Sequence, residues 1–299
     1  MTSRKRARKV TTMFHKLTSQ RDVALEDGDT KLVKSLEENL EEMGGRKEYQ
    51  RASQLSTSFH STSKWVLGYM ANNGWLYGTK QNTRPDNDDT CNNSESRKNR
   101  APRRTTKVLE VGAINTELLD AAEVEKASED TSLSSSKYNI HVRAIDIHSM
   151  EERIEEQDFL QLPFMSPKYD VIVCSMVLNC VTTKEDRGKM LALLYHQLRP
   201  GGLCFLTIPK FCLTKSAFLT PAIFRKMLGS GGVGFEMKST KDSPKLSFFI
   251  LERPMEERTK STTLDPMFTK QKIRNKGKKF PNQFSVILEA EHVFGTGSR

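Results

Sequence analysis

Apolar positions recur along this chain in two rhythms, and the change between them divides it. Val10, Met13, Phe14, Leu17, Ala24 and Leu25 fall at helical spacing, and Leu32, Val33, Leu36, Leu40 and Met43 do so again. Asp29 stands where a helix N-cap would, and Gly44-Gly45 where a helix stops. The pattern predicts a helical hairpin with one apolar face on each arm. Two short helices are expected after it, around Tyr49–Gln54 and Lys64–Asn72. Trp65, Trp75 and Tyr77 at the end of this region suit either stacking on bases or packing against the rest of the chain. Residues 78–105 hold almost no aliphatics and are rich in Asn, Asp, Thr, Ser and Arg, which predicts a disordered linker.

From Lys107 the rhythm changes to short, continuous apolar runs. The run in KVLEVGAINT ends at Gly112, as a buried parallel strand ends at a tight loop. Further strands are expected at Asn139–Ile147, Ile154–Phe159, Tyr169–Met176 and Leu203–Ile208. Helical patterns at Glu117–Ala127, Lys184–Leu198 and Pro221–Leu228 separate them, the second amphipathic and closing in LRPGG. Gly234–Ser239 and Leu246–Leu251 read as an antiparallel pair around a turn at Asp242–Pro244. Such alternation predicts an α/β fold with a mainly parallel, doubly wound sheet. Four parts follow: a helical extension with a basic tip (1–77), the linker, an α/β domain (106–253) and a basic C-terminal extension (254–299).

Charge sharpens the picture. The net charge of +10 is concentrated in three acid-free tracts: residues 3–9 with 5 basic groups, 97–107 with 6, and 270–279 with 6. Outside them the chain is acidic, with 30 basic groups against 37 acidic ones. Tracts of this kind suit phosphate backbones or import receptors. No apolar run approaches the ~18 residues of a membrane span, and no hydrophobic region follows the basic start to make a secretory signal. The 5 cysteines include no Cys-x-x-Cys pair. They are expected to be reduced, in a nuclear or cytosolic protein without a metal site.

Candidate chemistry gathers at the carboxyl ends of the expected strands, where open α/β sheets bind ligands. Glu110 and Gly112 close the first strand, Asp146 the second, Asp158-Phe159 the third, and Ser175 to Asn179 the fourth. A carboxylate ending the second strand can accept from both hydroxyls of a ribose. Asp158 suits an adenine amino group, with Phe159 packing against the base.

Taken in order, EVGAIN, AIDI, QDF, YDVIVCSMVLN and LRPGGLCFLTIP resemble the seven-strand Rossmann-like S-adenosylmethionine-dependent methyltransferases over about residues 106–252. EYQRASQL, SMVLNCV, DRGKMLALL and PGGLCFLTIPKFCLTKSAFLT are similar to the fungal 25S ribosomal RNA adenine-N1 methyltransferases, a family related to an animal S-adenosylmethionine-sensing regulator of TOR signalling. Lys215-Ser216-Ala217-Phe218 stands where that family's pattern has an Asn-Ser-Arg-Tyr-like stretch.

The resemblance implies S-adenosylmethionine as cofactor, with Gly112 and Asp146 as contacts; Glu110, Ile147, Asp158, Phe159 and Ser175 are further candidates from their places at or beside the strand ends. It implies large-subunit rRNA or a pre-ribosomal particle as partner and a nuclear, nucleolar location. Asn179 is the candidate for stabilising the charge that develops on a methylated adenine. Two rival expectations share the same sheet: a non-catalytic S-adenosylmethionine-binding regulator, and a methyltransferase of small molecules. The basic tracts favour RNA over both.

Overall fold

The computed structural model describes residues 4–57, 62–77, 104–123, 138–149, 151–164, 167–256, 263–274 and 282–295. Expectations for residues 78–103 of the linker, for the end of the helix at Ala127 and for residues 275–279 of the last basic tract lie outside the described residues.

Four helices come first: α1 (Arg4–Glu26), α2 (Thr30–Glu42), α3 (Gly45–Thr57) and α4 (Thr62–Asn72). Asp29 caps α2 as expected, its side chain accepting from the Leu32 amide at 3.0 Å. The next helix starts directly at Gly45 and runs well past the short segment expected around Tyr49, because Gly44, at φ +90°, turns the chain without an intervening loop.

A single sheet of seven strands carries the rest. Its members are β1 (Thr106–Val111), β2 (Ile140–Asp146), β3 (Glu155–Glu156), β4 (Tyr169–Ser175), β5 (Leu198–Pro209), β6 (Glu236–Asp242) and β7 (Leu246–Glu252). The spatial order is 3-2-1-4-5-7-6. β7 is antiparallel to both its neighbours, and the other pairings are parallel. Helices α5 (Glu117–Glu123), α6 (Lys184–Gln197), α7 (Lys210–Thr214) and α8 (Pro221–Leu228) alternate with the strands, and α9 (Ala290–Phe294) follows the sheet. The third strand is much shorter than the Ile154–Phe159 run suggested. Ile154 precedes it as a core residue, and Phe159 belongs to a 3-10 turn capped by Asp158.

Period-two alternation sorts the central strands into two faces. Val108, Val171, Val173, Leu203 and Phe205 meet Val66, Met70 and Leu76 on one side. Trp65 and Tyr69 of α4 pack edge-on against Phe205 at 5.2 and 5.5 Å, so this aromatic pair covers the sheet. Burying a ring such as Phe205 contributes roughly 1.5–3 kcal/mol. On the other side, Leu109, Ile172, Cys174, Cys204 and Leu206 meet α6, α8 and the C-terminal residues.

Those C-terminal residues do not form a detached extension. Phe284, Val286 and Leu288 are buried in the same cluster as the strands, and with the buried Ile287 they form a strap along α6. The expected amphipathic helix at Lys184–Leu198 is therefore buried on all sides from Met190 to Gln197. The approach is close at Gly188, where a Cβ would lie 1.7 Å from the Ile287 carbonyl oxygen. Glycine there lets the strap backbone touch the helix backbone.

Among the described residues no helix is long and apolar enough to cross a membrane.

Candidate functional site

In a sheet of this order the crossovers reverse direction between β1 and β4, and a crevice opens above their carboxyl ends. Gly112 turns the chain there with φ +70°. Its amide and that of Ala113 both donate to the Ile145 carbonyl, at 2.8 and 3.0 Å. A Cβ on Gly112 would lie 2.3 Å from Val177 Cγ2. The hydrogen at this position thus keeps the first turn pressed against the loop that follows β4.

Glu110 lies two residues before this turn, on the same face as Val108. Its Oε2 is fully enclosed and has no hydrogen-bond partner among the described residues. Burial, reinforced by the nearby Glu117, pushes its carboxyl up to about 8. An orphaned buried carboxylate is costly unless a donor or cation completes it.

Asp146 ends β2. Its Oδ1 accepts from the His148 amide at 2.9 Å, and Arg46 Nη2 lies 3.8 Å away. Burial raises its pKa despite these two partners. Ile147 beside it is 53% exposed, an apolar surface next to the carboxylate.

Asp158 Oδ1 accepts from the Leu160 amide at 2.9 Å, so this oxygen is used as a cap. Phe159 is 3% exposed and packs in the main core, which removes it from contact with a base at the rim. Ser175 is also committed. Its hydroxyl bonds Thr62 at 2.8 Å and Thr207 at 2.9 Å, a hydroxyl chain joining α4, β4 and β5.

The loop after β4 opens with Met176 at φ +62°, a left-handed conformation that costs a non-glycine residue about 1 kcal/mol. The Cys180 thiol donates back to the Met176 carbonyl at 3.2 Å, and Asn179 Nδ2 donates to Cys180 Sγ at 3.3 Å. Asn179 Oδ1 is enclosed and, like Glu110 Oε2, has no hydrogen-bond partner among the described residues. The carboxyl edge therefore presents two buried acceptors awaiting donors or positive charge.

Sequence reading missed the layer above this edge. Arg46, Tyr49 and Gln50 of α3 reach it together. Gln50 donates to the His148 carbonyl, and the Tyr49 hydroxyl shares a hydrogen bond with His15 Nε2 at 3.3 Å while lying close enough to Cys180, Arg46 and Asp146 to feel their charge. The Tyr49 ring stacks on Phe14 of α1 at 4.4 Å between centroids. The available signal was EYQRASQL, the family-like segment that contains Tyr49 and Gln50.

The residues fit S-adenosylmethionine. The Gly112 turn is a backbone cradle, Glu110 offers an uncompensated carboxylate for a cationic ligand, and Asp146 offers acceptor oxygens for hydroxyls. Of the cofactor residues read from the sequence, the structure brings Glu110, Gly112 and Asp146 to one edge.

The sheet order and this edge define the Rossmann-like S-adenosylmethionine-dependent methyltransferase class. More narrowly, the chain belongs to the family described as 25S rRNA (adenine(2142)-N(1))-methyltransferase, Bmt2, whose model matches residues 34–286. It is similar to the 25S rRNA (adenine(2142)-N(1))-methyltransferase of Saccharomyces cerevisiae, 30% identical over 44% of this chain and 39% of the relative. It is also similar to the 25S rRNA adenine-N(1) methyltransferase of Schizosaccharomyces pombe, 28% identical over 49% of this chain and 55% of the relative. The matched region spans about half the length of these relatives or less. Among solved structures, the [4+2]-cyclase SpnF is similar with a TM-score of 0.39 and 12% identity, over 51% of this chain and 76% of that one. The N-methyltransferase NodS from Bradyrhizobium japonicum, bound to S-adenosyl-L-homocysteine, gives 0.33 and 13%, over 51% and 80%.

Proposed function

We propose that this protein methylates N1 of an adenine in large-subunit rRNA, using S-adenosylmethionine. The observation that carries the reading is the pair of enclosed, unpartnered acceptors, Glu110 Oε2 and Asn179 Oδ1, on the same strand edge as the Gly112 turn. Family membership and the relatives' names support the choice of rRNA.

When bound, S-adenosylmethionine supplies an activated methyl group on a sulfonium. The chain's task is alignment. Gly112 admits the ligand to the backbone, Asp146 accepts from ribose hydroxyls with Ile147 as an apolar neighbour, and Asp158 serves the amino group of the cofactor's adenine. Glu110 offsets positive charge. The N1 lone pair of the target adenine is neutral and needs no base to expose it. Asn179 Oδ1 accepts from, or lies against, the edge of the adenine as it becomes cationic. N1 lies on the Watson–Crick edge, so the target must be unpaired or extruded. The basic tracts hold the phosphates around it and serve import receptors on the way to the nucleolus. A fluorescent fusion is expected to concentrate in the nucleolus, and a wholly cytoplasmic signal counts against that location.

N1 methylation blocks pairing, so reverse transcriptase should halt at one adenine of 25S rRNA when the protein is present. In cells lacking it the stop should vanish, and nucleoside mass spectrometry should show less N1-methyladenosine. A stop that persists would refute the activity. If ligand binding were then intact, a non-catalytic S-adenosylmethionine-binding regulator would remain.

Glu110 gives a pH test of the cofactor site. A cationic ligand favours the ionised carboxylate, so binding below pH about 8 should release a proton, and affinity should rise with pH up to about 8. Calorimetry in buffers of different ionisation enthalpy reads this release. Glu110→Gln should lack the Glu110 contribution. Equal proton release in the two proteins would remove Glu110 from contact with the ligand.

A further inference from the structure

Arg187 lies in the first turns of α6, outside the set of residues assigned to the ligands. Its Nε donates to the Val181 carbonyl at 2.9 Å and its Nη2 to the Thr182 carbonyl at 3.0 Å. Its Nη1 donates to the Ser285 carbonyl at 3.0 Å. The Phe284 ring lies under the guanidinium, 4.6 Å from Cζ to the ring centroid. A surface arginine normally meets a carboxylate or water. This one spends its fork on backbone carbonyls of two segments separated by about a hundred residues, and stacks on an aromatic face as a lysine could not.

The first segment is the loop after β4, which carries Asn179. Its first residue is held to β5, the Met176 amide donating to the Thr207 carbonyl at 3.1 Å, and beyond that its backbone bonds are short-range, such as the Cys180 amide to the Val177 carbonyl at 2.8 Å. The second is the C-terminal strap, itself anchored to α6 by the Ile287 amide on the Lys184 carbonyl at 3.0 Å. The strap also holds the loop after α7: Ser216 Oγ donates to the Phe284 carbonyl at 2.5 Å, and the Ala217 amide to the Asn282 carbonyl at 3.2 Å. Both loops that leave the carboxyl edge at β4 and β5 are thus tied to one strap, the first of them through Arg187.

We propose that Arg187 is a positioning residue for methyl transfer: clamped between the loop after β4 and the C-terminal strap, it fixes the place of Asn179 Oδ1. The role rests on the methyl-transfer reading given above. Burial of the guanidinium, which lowers its pKa, is consistent with a clamp rather than a solvated charge. Arg187 does not touch the reacting atoms and acts through Asn179. Its loss is therefore expected in the rate of the chemical step and not in the affinity for the cofactor. Misplacement by about 1 Å in such a loop can cost on the order of 100-fold in rate.

The test uses the full chain and compares wild type with Arg187→Lys, which keeps the charge and loses the fork. Phe284→Leu serves as a second variant that keeps buried bulk and removes the aromatic face. Three quantities are read: S-adenosylmethionine dissociation constant, single-turnover methylation of large-subunit rRNA, and amide exchange of residues 177–182. Arg187→Lys should bind the cofactor within about threefold of wild type while the single-turnover rate falls at least about tenfold. Exchange of the loop amides should quicken, with the β1 and β4 amides unchanged. Phe284→Leu should move rate and loop exchange in the same direction by less. Unchanged loop exchange, an unchanged rate, or a loss confined to cofactor or RNA affinity would each overturn the role. An inactive wild type would instead refute the methyl-transfer reading, and the role would fall with it.

Discussion

Gly112→Arg should lose S-adenosylmethionine binding by at least about 100-fold, or ~2.7 kcal/mol, while the sheet still folds. Two costs add at this residue. The backbone is left-handed at φ +70°, where a side chain is strained by about 1 kcal/mol or more. A Cβ would also enter Val177 Cγ2 at 2.3 Å, so the loop after β4 must move away from the first turn. The guanidinium then competes for the Glu110 carboxylate that the cationic ligand needs. Calorimetry gives the affinity, and circular dichroism shows whether the fold survives. In cells the variant should fail to restore the reverse-transcriptase stop. Wild-type affinity in a folded Gly112→Arg protein would remove this turn from the cofactor site.

The second large effect should come from Asn179→Ala. Removing one preorganised polar group from a transition state typically costs on the order of 100-fold in rate. Asn179 Oδ1 makes no hydrogen bond among the described residues, so its removal breaks no bond of the free protein through that atom. The methylation rate should therefore fall about 100-fold, with cofactor affinity changed by less than about threefold. The two variants separate the halves of the site. Gly112→Arg should fail in binding, Asn179→Ala in chemistry. A near-normal rate for Asn179→Ala would make its amide a loop-forming group, held through its bond to Cys180 Sγ.

Parallel strands buried on both faces read as near-continuous apolar runs, which is why β4 and the core of β5 were legible, whereas β1 and β2 showed as shorter apolar stretches broken by polar residues. The turn at Gly112 was legible because a glycine directly ending such a run has few other reasons to be there. β3 was not, since Ile154 and Phe159 are apolar for the core while the two residues that pair, Glu155 and Glu156, are exposed acids. Local pattern also misjudged Lys184–Leu198. Its outer face is polar enough to suggest solvent, yet Gln197 and His196 are buried, the latter bonding carbonyls of His292 and Val293 at 3.1 Å. The candidate site divides in the same way. Glu110 and Asp146 follow from strand ends, whereas Arg46, Tyr49 and Arg187 reach the site through contacts with residues far along the chain. No periodicity encodes such contacts.

The strap along α6 also has a consequence in time. Chains are made from the amino end, and their earlier parts begin to fold first. All seven strands are complete at Glu252, before Phe284 and Ser285 exist to meet Arg187. During synthesis the cradle at Gly112 can form while the loop bearing Asn179 still lacks its outer brace. Catalytic competence would then arrive last, after fold and cofactor pocket. An unfinished molecule would hold its methyl donor without the alignment needed to use it.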